Sequence, residues 1–378
     1  MTIHIPQELV DEIIDYLGGD RDALIACSMV CRAWVSRCRR RLFKTCALLP
    51  HNVLGFCDLL RSPECTLLQH VRKIDASRQY WSTDDQCLRS KGIAADLGRL
   101  THLCTLEMAF NIRPSIDAHR IGTHILFSPG CLAVLPLVTL LILDAKDSPA
   151  QPQSPVGAGG FPVPLIDIIS LCYALQELRI VSAHAVAHPP ASAMPPPGLH
   201  SLTLRSSASS ILGWMDAAGH LPNVDSITLS FILRSEVPII YAALQKVGGA
   251  LRSLEITVSD RDAWTAYDLS FHPNLRTLVI DCFSRVSAEF NYCLIGLIKR
   301  LAAPALESLS IYFVRDDTAV RTVNWGALDA FLSPARFPRL RKVLIDCSAD
   351  EFQFVRSALP LLEDSGVLDS MEKPSRRH

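Results

Sequence analysis

The chain lacks an excess of charge of either sign. Its 37 lysines and arginines nearly balance 38 aspartates and glutamates, which gives a net charge of -1 over 378 residues. Proteins that bind nucleic acid usually carry a surplus of lysine and arginine, because they must neutralise phosphates. The composition therefore argues against a nucleic-acid binder and favours proteins or small molecules as partners.

Paired cysteine motifs are also lacking. The 13 cysteines are odd in number, they are scattered from Cys27 to Cys347, and no C-x-x-C pair occurs among them. This pattern fits neither a zinc knuckle nor a redox motif nor a closed disulfide framework. It predicts reduced, mostly buried thiols in a cytosolic or nuclear protein.

Long apolar runs are missing as well. The longest, residues 131–143, contains Pro136 and Thr139, and it falls short of the roughly 20 residues that span a bilayer. The opening residues, MTIHIPQEL, lack the basic and apolar regions of a signal peptide. We therefore expect no membrane contact and a cytoplasmic or nuclear location, or both.

Short catalytic motifs do not occur. G-x-S-x-G, H-E-x-x-H, the P-loop pattern and G-x-G-x-x-G are all absent. His184 and His188 are four residues apart, but Pro189-Pro190 follow directly, so a chance pair is favoured over a metal site. Asp84-Asp85 and Asp316-Asp317 suit solvated turns. We predict a protein that is not an enzyme and needs no cofactor or metal; a hydrolase built from residues distant in sequence stays an alternative.

The start of the chain does carry a self-contained apolar segment. Pro6 suits the first turn of a helix, and Gly18-Gly19 suit its end. Between them Leu9, Ile13 and Leu17 recur at helical spacing, with acidic residues on the other side. This segment predicts an amphipathic first helix.

Two further helices are predicted before residue 47. Asp20 or Asp22 can cap the second, and the third runs from about Cys31 to Phe43. The third contains the run RCRRRLFK, residues 37–44, which fits a localisation signal or polyanion patch but is better explained as a solvated helix face. Three such short helices have little core of their own and often need a partner.

The order of residues in this segment resembles the F-box of the fungal-type F-box family. The resemblance rests on Ile5-Pro6-x-Glu8-Leu9, Ile13-Ile14, Leu17, an acidic loop residue, then Ser28-Met29-Val30-Cys31-Arg32-x-Trp34, with Leu42-Phe43 beyond. In that family the unit docks on a Skp-type linker subunit, which ties it to a cullin-based (SCF) ubiquitin ligase. Carried over by position, the resemblance implies linker contacts from Pro6, Leu9, Ile13, Leu17, Leu24, Val30, Cys31 and Trp34. The alternative is that these helices only cap the domain behind them.

The rest of the chain is a repeat. The pattern apolar-x-x-apolar-x-apolar occurs ten times, beginning at residues 71, 103, 137, 175, 199, 224, 251, 275, 306 and 340. Successive copies are 24 to 38 residues apart, and the shorter spacings match the roughly 20–29 residues of a leucine-rich repeat. Helices are predicted between copies at 238–249, 289–303 and 325–333. A strand followed by a helix, repeated, gives a parallel sheet with helices on one side.

The predicted fold class is therefore α/β. An N-terminal three-helix F-box, residues 1–47, precedes a leucine-rich-repeat-like α/β solenoid, a horseshoe whose parallel sheet lies on the concave side. We assign residues 48–70 to a connecting, capping helical segment, 71–350 to the solenoid, and 351–378 to a C-terminal cap helix and basic tail. Pro-rich segments at 147–164 and 184–198 are predicted to be mobile surface loops.

Residues between the apolar positions of each strand should face away from the helices. Of these, we favour Arg179, Arg205, Glu255 and Tyr312 as target-binding residues, because arginine and tyrosine are enriched in binding hot spots. Solubility alone also explains such a polar face. The sequence predicts a substrate-recognition adaptor of an SCF-type ligase, with a Skp-type linker, a cullin and an unidentified protein as partners. A non-catalytic repeat scaffold or receptor without a ligase role is the alternative.

Overall fold

The computed structural model describes residues 6–49, 51–77, 96–112, 135–147, 165–182, 193–258, 264, 267–282, 288–313 and 317–370. The chain divides into two compact units, one of Met1–Ala187 with Pro196–Gly198 and the other of His188–Pro195 with Leu199–His378. Each unit contains parallel strands that alternate with helices, so the predicted α/β class is confirmed.

The three predicted N-terminal helices are present. They are α1 (Gln7–Tyr16), α2 (Arg21–Val30) and α3 (Arg32–Leu42). Asp20 caps α2 with its Oδ1 atom, which accepts a hydrogen bond from the Ala23 backbone N at 2.9 Å. The helices share a small core of Val10, Ile14, Leu24 and Cys38, against which Leu17, Cys27, Trp34 and Leu42 pack.

In the first unit, α3 leads directly into a sheet. Each strand pairs in parallel with the next along the chain. The described elements after α3 are β1 (Thr45–Ala47), α4 (Val53–Arg61), β2 (Lys73–Ala76), β3 (Thr105–Ile112), β4 (Leu140–Asp147), α5 (Leu165–Ser170) and β5 (Glu177–Ser182).

The second unit continues the same alternation, and its paired strands are again parallel. Its strands are β6 (Ser201–Leu204), β7 (Ser226–Leu229), β8 (Ser253–Val258), β9 (Thr277–Cys282), β10 (Ser308–Phe313), β11 (Lys342–Asp346) and β12 (Leu368–Ser370). Its helices are α6 (Ala208–Ala217), α7 (Val237–Val247), α8 (Ala288–Lys299), α9 (Asp317–Thr322), α10 (Trp325–Phe331), α11 (Ala349–Ala358) and α12 (Pro360–Asp364).

All ten copies of the repeat motif form strands, β2 to β11. Each strand begins two or three residues after the first apolar position of its motif, and in nine of the ten copies the remaining apolar positions point into the core. In the third copy the sequence-predicted register is wrong by one residue, because β4 buries Leu141 and Leu143 instead of Leu140 and Ile142. In β9, for example, Leu278, Ile280 and Cys282 are buried, while the residues between them are partly exposed. Leu278 lies opposite Leu254 on one neighbour and Leu309 on the other, so equivalent residues stack from strand to strand. Such stacking is how a repeat array buries an edge that one repeat cannot bury alone.

The ends of the sheets differ from the prediction. Two short strands without the motif, β1 and β12, pair with β2 and β11. The single C-terminal cap helix assigned within residues 351–378 is instead two helices that meet at Leu359, because Pro360 has no backbone N–H and begins a new helix. Most of the two Pro-rich segments and the basic tail from residue 371 onward lie outside the described residues. Residues 193–198 contain neither helix nor strand.

We predict that Leu278→Ala lowers the free energy of unfolding of the second unit by about 2 to 5 kcal/mol, because it leaves a cavity between three stacked strands. Val279→Ala, at the adjacent partly exposed position, is the matched control and should cost less than about 1 kcal/mol. Denaturant unfolding followed by circular dichroism measures both. Equal losses would contradict the assignment of the buried face.

Candidate partner-binding helices and strand faces

Helix α1 carries two apolar stripes, and the helical core covers one of them. Val10 and Ile14 are buried, and Leu17 is half-buried beside them. The residues directly before these three, Leu9, Ile13 and Tyr16, form a second stripe along the helix. Their side chains are 50%, 47% and 92% exposed. The second stripe has the spacing of a packed face but remains open to solvent.

Helix α2 repeats this division. Leu24 belongs to the core and is 2% exposed, whereas Ile25 and Met29, one turn apart, are exposed, Met29 at 77%. Val30 is exposed at the end of α2, and the exposed Cys31 adopts an extended conformation that separates α2 from α3. Two of the three helices thus present apolar side chains to water.

The eight sequence-predicted linker contacts fall into two groups. Pro6, Leu9, Ile13, Val30 and Cys31 are exposed. Leu17 and Trp34 are half-buried against the core, and Leu24 lies within it. In this structure Leu24 shapes the helical unit rather than presenting its side chain to a partner.

Sequence reasoning missed three exposed apolar residues, Tyr16, Ile25 and Met29. A signal for Tyr16 was present, since it lies three residues after Ile13 and seven after Leu9 on the same helix face. Ile25 and Met29 are likewise four residues apart. Extending the apolar spacing beyond the positions that match the family pattern would have found all three.

A carboxylate links α1 to α3. Asp15 Oδ2 lies 2.7 Å from Arg37 Nη2 and 2.6 Å from Arg41 Nη2, and both Nε atoms donate to Oδ1. The hydrogen bonds from Arg41 and Arg37 hold the pKa of the Asp15 carboxyl below its ordinary value of 3.8. Arg37 and Arg41 are half-buried, so the prediction of a fully solvated basic face on α3 is wrong for these two residues.

Three of the four predicted target-binding residues belong to alternate repeats of the second unit, with one strand between each and the next: Arg205 follows β6, Glu255 lies in β8 and Tyr312 lies in β10. The register places Tyr312 beside Asp281 and Asp346, and Glu255 beside Thr228 and Val279. Arg205, directly after β6, is exposed. Small hydroxyl residues fill most of the rest of the strand face that carries Glu255 and Tyr312, among them Ser201, Thr203, Ser226, Thr228, Ser253, Thr277 and Ser308.

In the first unit, Arg179 is held by its own strand. Its Nη2 atom lies 2.6 Å from Glu177 Oε1, and the side chain is about half exposed. On β2 and β3, Lys73 Nζ pairs with Glu107 Oε2 at 2.5 Å. Arg179 and Lys73, on the strands of the first unit, are therefore each paired with a glutamate and do not form an unpaired positive patch.

The cysteines of the described segments are free thiols. Burial raises the pKa of Cys57 to about 11 and that of Cys172 to about 12, which keeps these thiols protonated and unreactive at neutral pH. Only Cys31 among the described cysteines is exposed.

The described part of the chain contains no group of three or more histidine, cysteine, aspartate or glutamate side chains placed to hold a metal ion. His184, His188, Asp84, Asp85 and Asp316 lie outside the described residues, while Asp317 begins helix α9 rather than lying in a turn. No described helix has both the length and the apolarity needed to cross a membrane.

Comparison with known proteins gives weak similarity only. No protein-family model matches the chain, and no curated protein is significantly similar to it. A Bacteroides fragilis protein solved by structural genomics is 14% identical with a TM-score of 0.40, over 88% of this chain and 75% of its own. The yeast complex of Rad7 and Elc1 is 12% identical with a TM-score of 0.37, over 98% of this chain and 90% of its own. These scores are too low to carry an argument about function.

We predict that Asp15→Asn destabilises the helical unit at pH 7 and that this effect disappears in acid. The folded-state pKa of Asp15 is depressed, so its stabilising contribution is present above the unfolded-state value near 3.8 and is lost as the pH falls through the lower folded-state value. Glu12→Gln, an exposed acid on the same helix, is the control. Thermal unfolding midpoints at several pH values test this; a deficit of the Asn variant that persists unchanged at the lowest pH would contradict it.

Proposed function

We propose that this chain is a non-catalytic substrate-recognition adaptor of an SCF-type ubiquitin ligase. Helices α1 to α3 act as an F-box that binds a Skp-type linker and, through it, a cullin, and the strand faces bind a protein target. The adaptor raises the effective concentration of the target near the ubiquitin donor and orients it, without making bonds itself. This role places the chain in the cytoplasm or the nucleus.

The exposed second stripe of α1 is the observation that carries the proposal. Single exposed apolar residues are ordinary, but Leu9, Ile13 and Tyr16 repeat at the spacing of a packed helix face. Fully burying one leucine or isoleucine side chain is worth about 1.5 to 3 kcal/mol. A partner that covers this stripe, together with Ile25 and Met29, would therefore gain a substantial binding free energy.

The F-box resemblance supplies the identity of that partner. The exposed members of its predicted contact set, Pro6, Leu9, Ile13, Val30 and Cys31, are the ones able to touch a linker directly. Trp34, Leu17 and Leu24 instead support them from the core side. In this proposal the exposed motif residues bind the linker, and the core-side motif residues hold the helices that carry them in position.

The alternative function is a repeat scaffold or receptor whose N-terminal helices only cap the first sheet. One observation favours it: α3 continues into β1, and Arg39 Nη1 donates to Thr66 Oγ1 at 3.3 Å, so the helices are joined to the residues behind them. The two hypotheses differ in whether linker and cullin bind, which the following experiment measures.

We predict that the double substitution Leu9→Asp and Ile13→Asp weakens binding of a purified Skp-type linker by about a hundredfold or more, the factor that ~2.7 kcal/mol produces. The control is Ile239→Asp with Leu361→Asp, the same residue types at 45% and 51% exposure on α7 and α12. Calorimetric titration with the linker measures both variants.

The control variant should bind the linker as the wild type does. Equal binding by all three proteins, or no binding by the wild type, would contradict the adaptor hypothesis. Circular dichroism establishes that both variants are folded.

Target binding is predicted to be separable from linker binding. Arg205→Ala, Glu255→Ala and Tyr312→Ala together should deplete the target from an affinity purification while the linker and cullin remain, because Glu255 and Tyr312 lie on the strands of the second unit and Arg205 is exposed directly after β6. Conversely, the Leu9 and Ile13 variant should retain the target and lose the cullin. Mass spectrometry of both purifications measures this separation, and an identical set of proteins from the two variants would contradict it.

A further inference from the structure

The first unit contains a cavity of about 260 Å³ whose lining is strongly positive. We call it the basic pocket. It is lined by Arg37, Arg40, Arg41, Lys44, Arg72 and Asp15, together with Gln69 and His70. Five cationic side chains thus face one carboxylate, in a protein whose overall net charge is -1. The positive charge is a local feature rather than a reflection of the composition.

Local structure explains why these residues converge. Arg37, Arg40, Arg41 and Lys44 are spaced at three, four and seven residues, so they line one face of α3 and its C-terminal extension. The Lys44 carbonyl oxygen then accepts hydrogen bonds from the backbone N atoms of Arg72 and Lys73 at 3.0 and 2.9 Å. This junction, at the start of the β1 and β2 pair, brings Arg72 up to the end of α3.

The carboxylate in the basic pocket is already engaged. Asp15 is shared between Arg37 and Arg41. Arg40, Lys44 and Arg72 make no ion pair with any residue that the structure describes. Among those residues, the Arg72 side chain donates only to the His102 carbonyl oxygen, at 3.3 Å. Three cations are thus held close together without a counter-charge from the described chain, an arrangement that a bound anion would stabilise.

The pKa of His70, which lines the basic pocket, is lowered by its surroundings. Burial lowers the pKa of its imidazole, and Arg40, Arg39 and Arg72 lower it further. The imidazole is therefore neutral at physiological pH and can still donate one N–H to a ligand. The pocket offers a set of guanidinium, ammonium and imidazole donors around one small volume.

We propose that the basic pocket binds a small soluble anion that carries one or two phosphoryl groups. Guanidinium groups match phosphate oxygens with paired hydrogen bonds, and phosphate carries the multiple charge that several cations require. The cavity volume lies just below the range of about 300 to 1,000 Å³ that is usual for sites of drug-sized ligands, so it suits a diphosphate or a compact phosphate ester rather than a polymer. The same headgroup chemistry occurs on phosphoinositide lipids, which the test must separate.

The test is calorimetric titration of the full-length chain with inorganic pyrophosphate at constant ionic strength. We expect saturable binding by the wild type. The double substitution Arg40→Ala and Arg72→Ala should weaken this binding by about tenfold or more, the factor that ~1.4 kcal/mol produces. The matched control Arg32→Ala, Arg341→Ala removes two exposed arginines outside the pocket and should bind as the wild type does. If the pocket variant does not fold, Lys44→Ala, which removes one exposed lining side chain, takes its place with Arg32→Ala as its control.

A second measurement separates the sources of phosphate. Sedimentation with phosphatidylcholine vesicles, with and without a phosphoinositide, should show no lipid-dependent recovery of the chain. Equal pyrophosphate binding by the pocket and control variants, no binding by the wild type, or binding to phosphoinositide vesicles without binding to pyrophosphate would each overturn the proposal.

Discussion

The small core of the N-terminal helices is the constraint on which the proposed partner binding depends. Helix α1 has two apolar stripes, but the core around Ile14, Leu24 and Cys38 covers only the one that contains Val10 and Ile14. The stripe of Leu9, Ile13 and Tyr16 stays in water unless another molecule covers it. A unit this short cannot bury both stripes by itself, since small units bury a small fraction of their surface. This exposed stripe is the reason for our proposal that α1 forms half of an interface rather than only a cap.

The Asp15 carboxylate holds α1 in place against α3. It ties α1 to α3 through Arg37 and Arg41, and α3 runs on into the first strand of the sheet. Backbone hydrogen bonds at Lys44 continue that connection into β2. The same junction concentrates positive charge beside the end of α3, so one local arrangement both orients the exposed stripe and forms the basic pocket.

The sequence predicts most of the fold because the repeat motif encodes burial directly. Apolar residues at alternate positions identify all ten motif-bearing strands, and stacking of like residues requires a parallel arrangement. The strands β1 and β12 could not be predicted, since each has only three residues and no motif. The pairing of Asp15 with Arg37 and Arg41 spans 22 and 26 residues, and no sequence periodicity selects these partners among the basic residues of α3. For the candidate site, the family pattern names Leu9 and Ile13, which are exposed in the structure, and Leu24, which is buried in the helical core.

Binding of a purified Skp-type linker to the full-length chain, measured by calorimetry at several temperatures, tests the central claim most directly. If the linker covers the exposed stripe, binding should be saturable with a clearly negative heat-capacity change, the signature of apolar surface removed from water. A folded chain that gives no binding heat and no complex on size-exclusion chromatography at any temperature would contradict it.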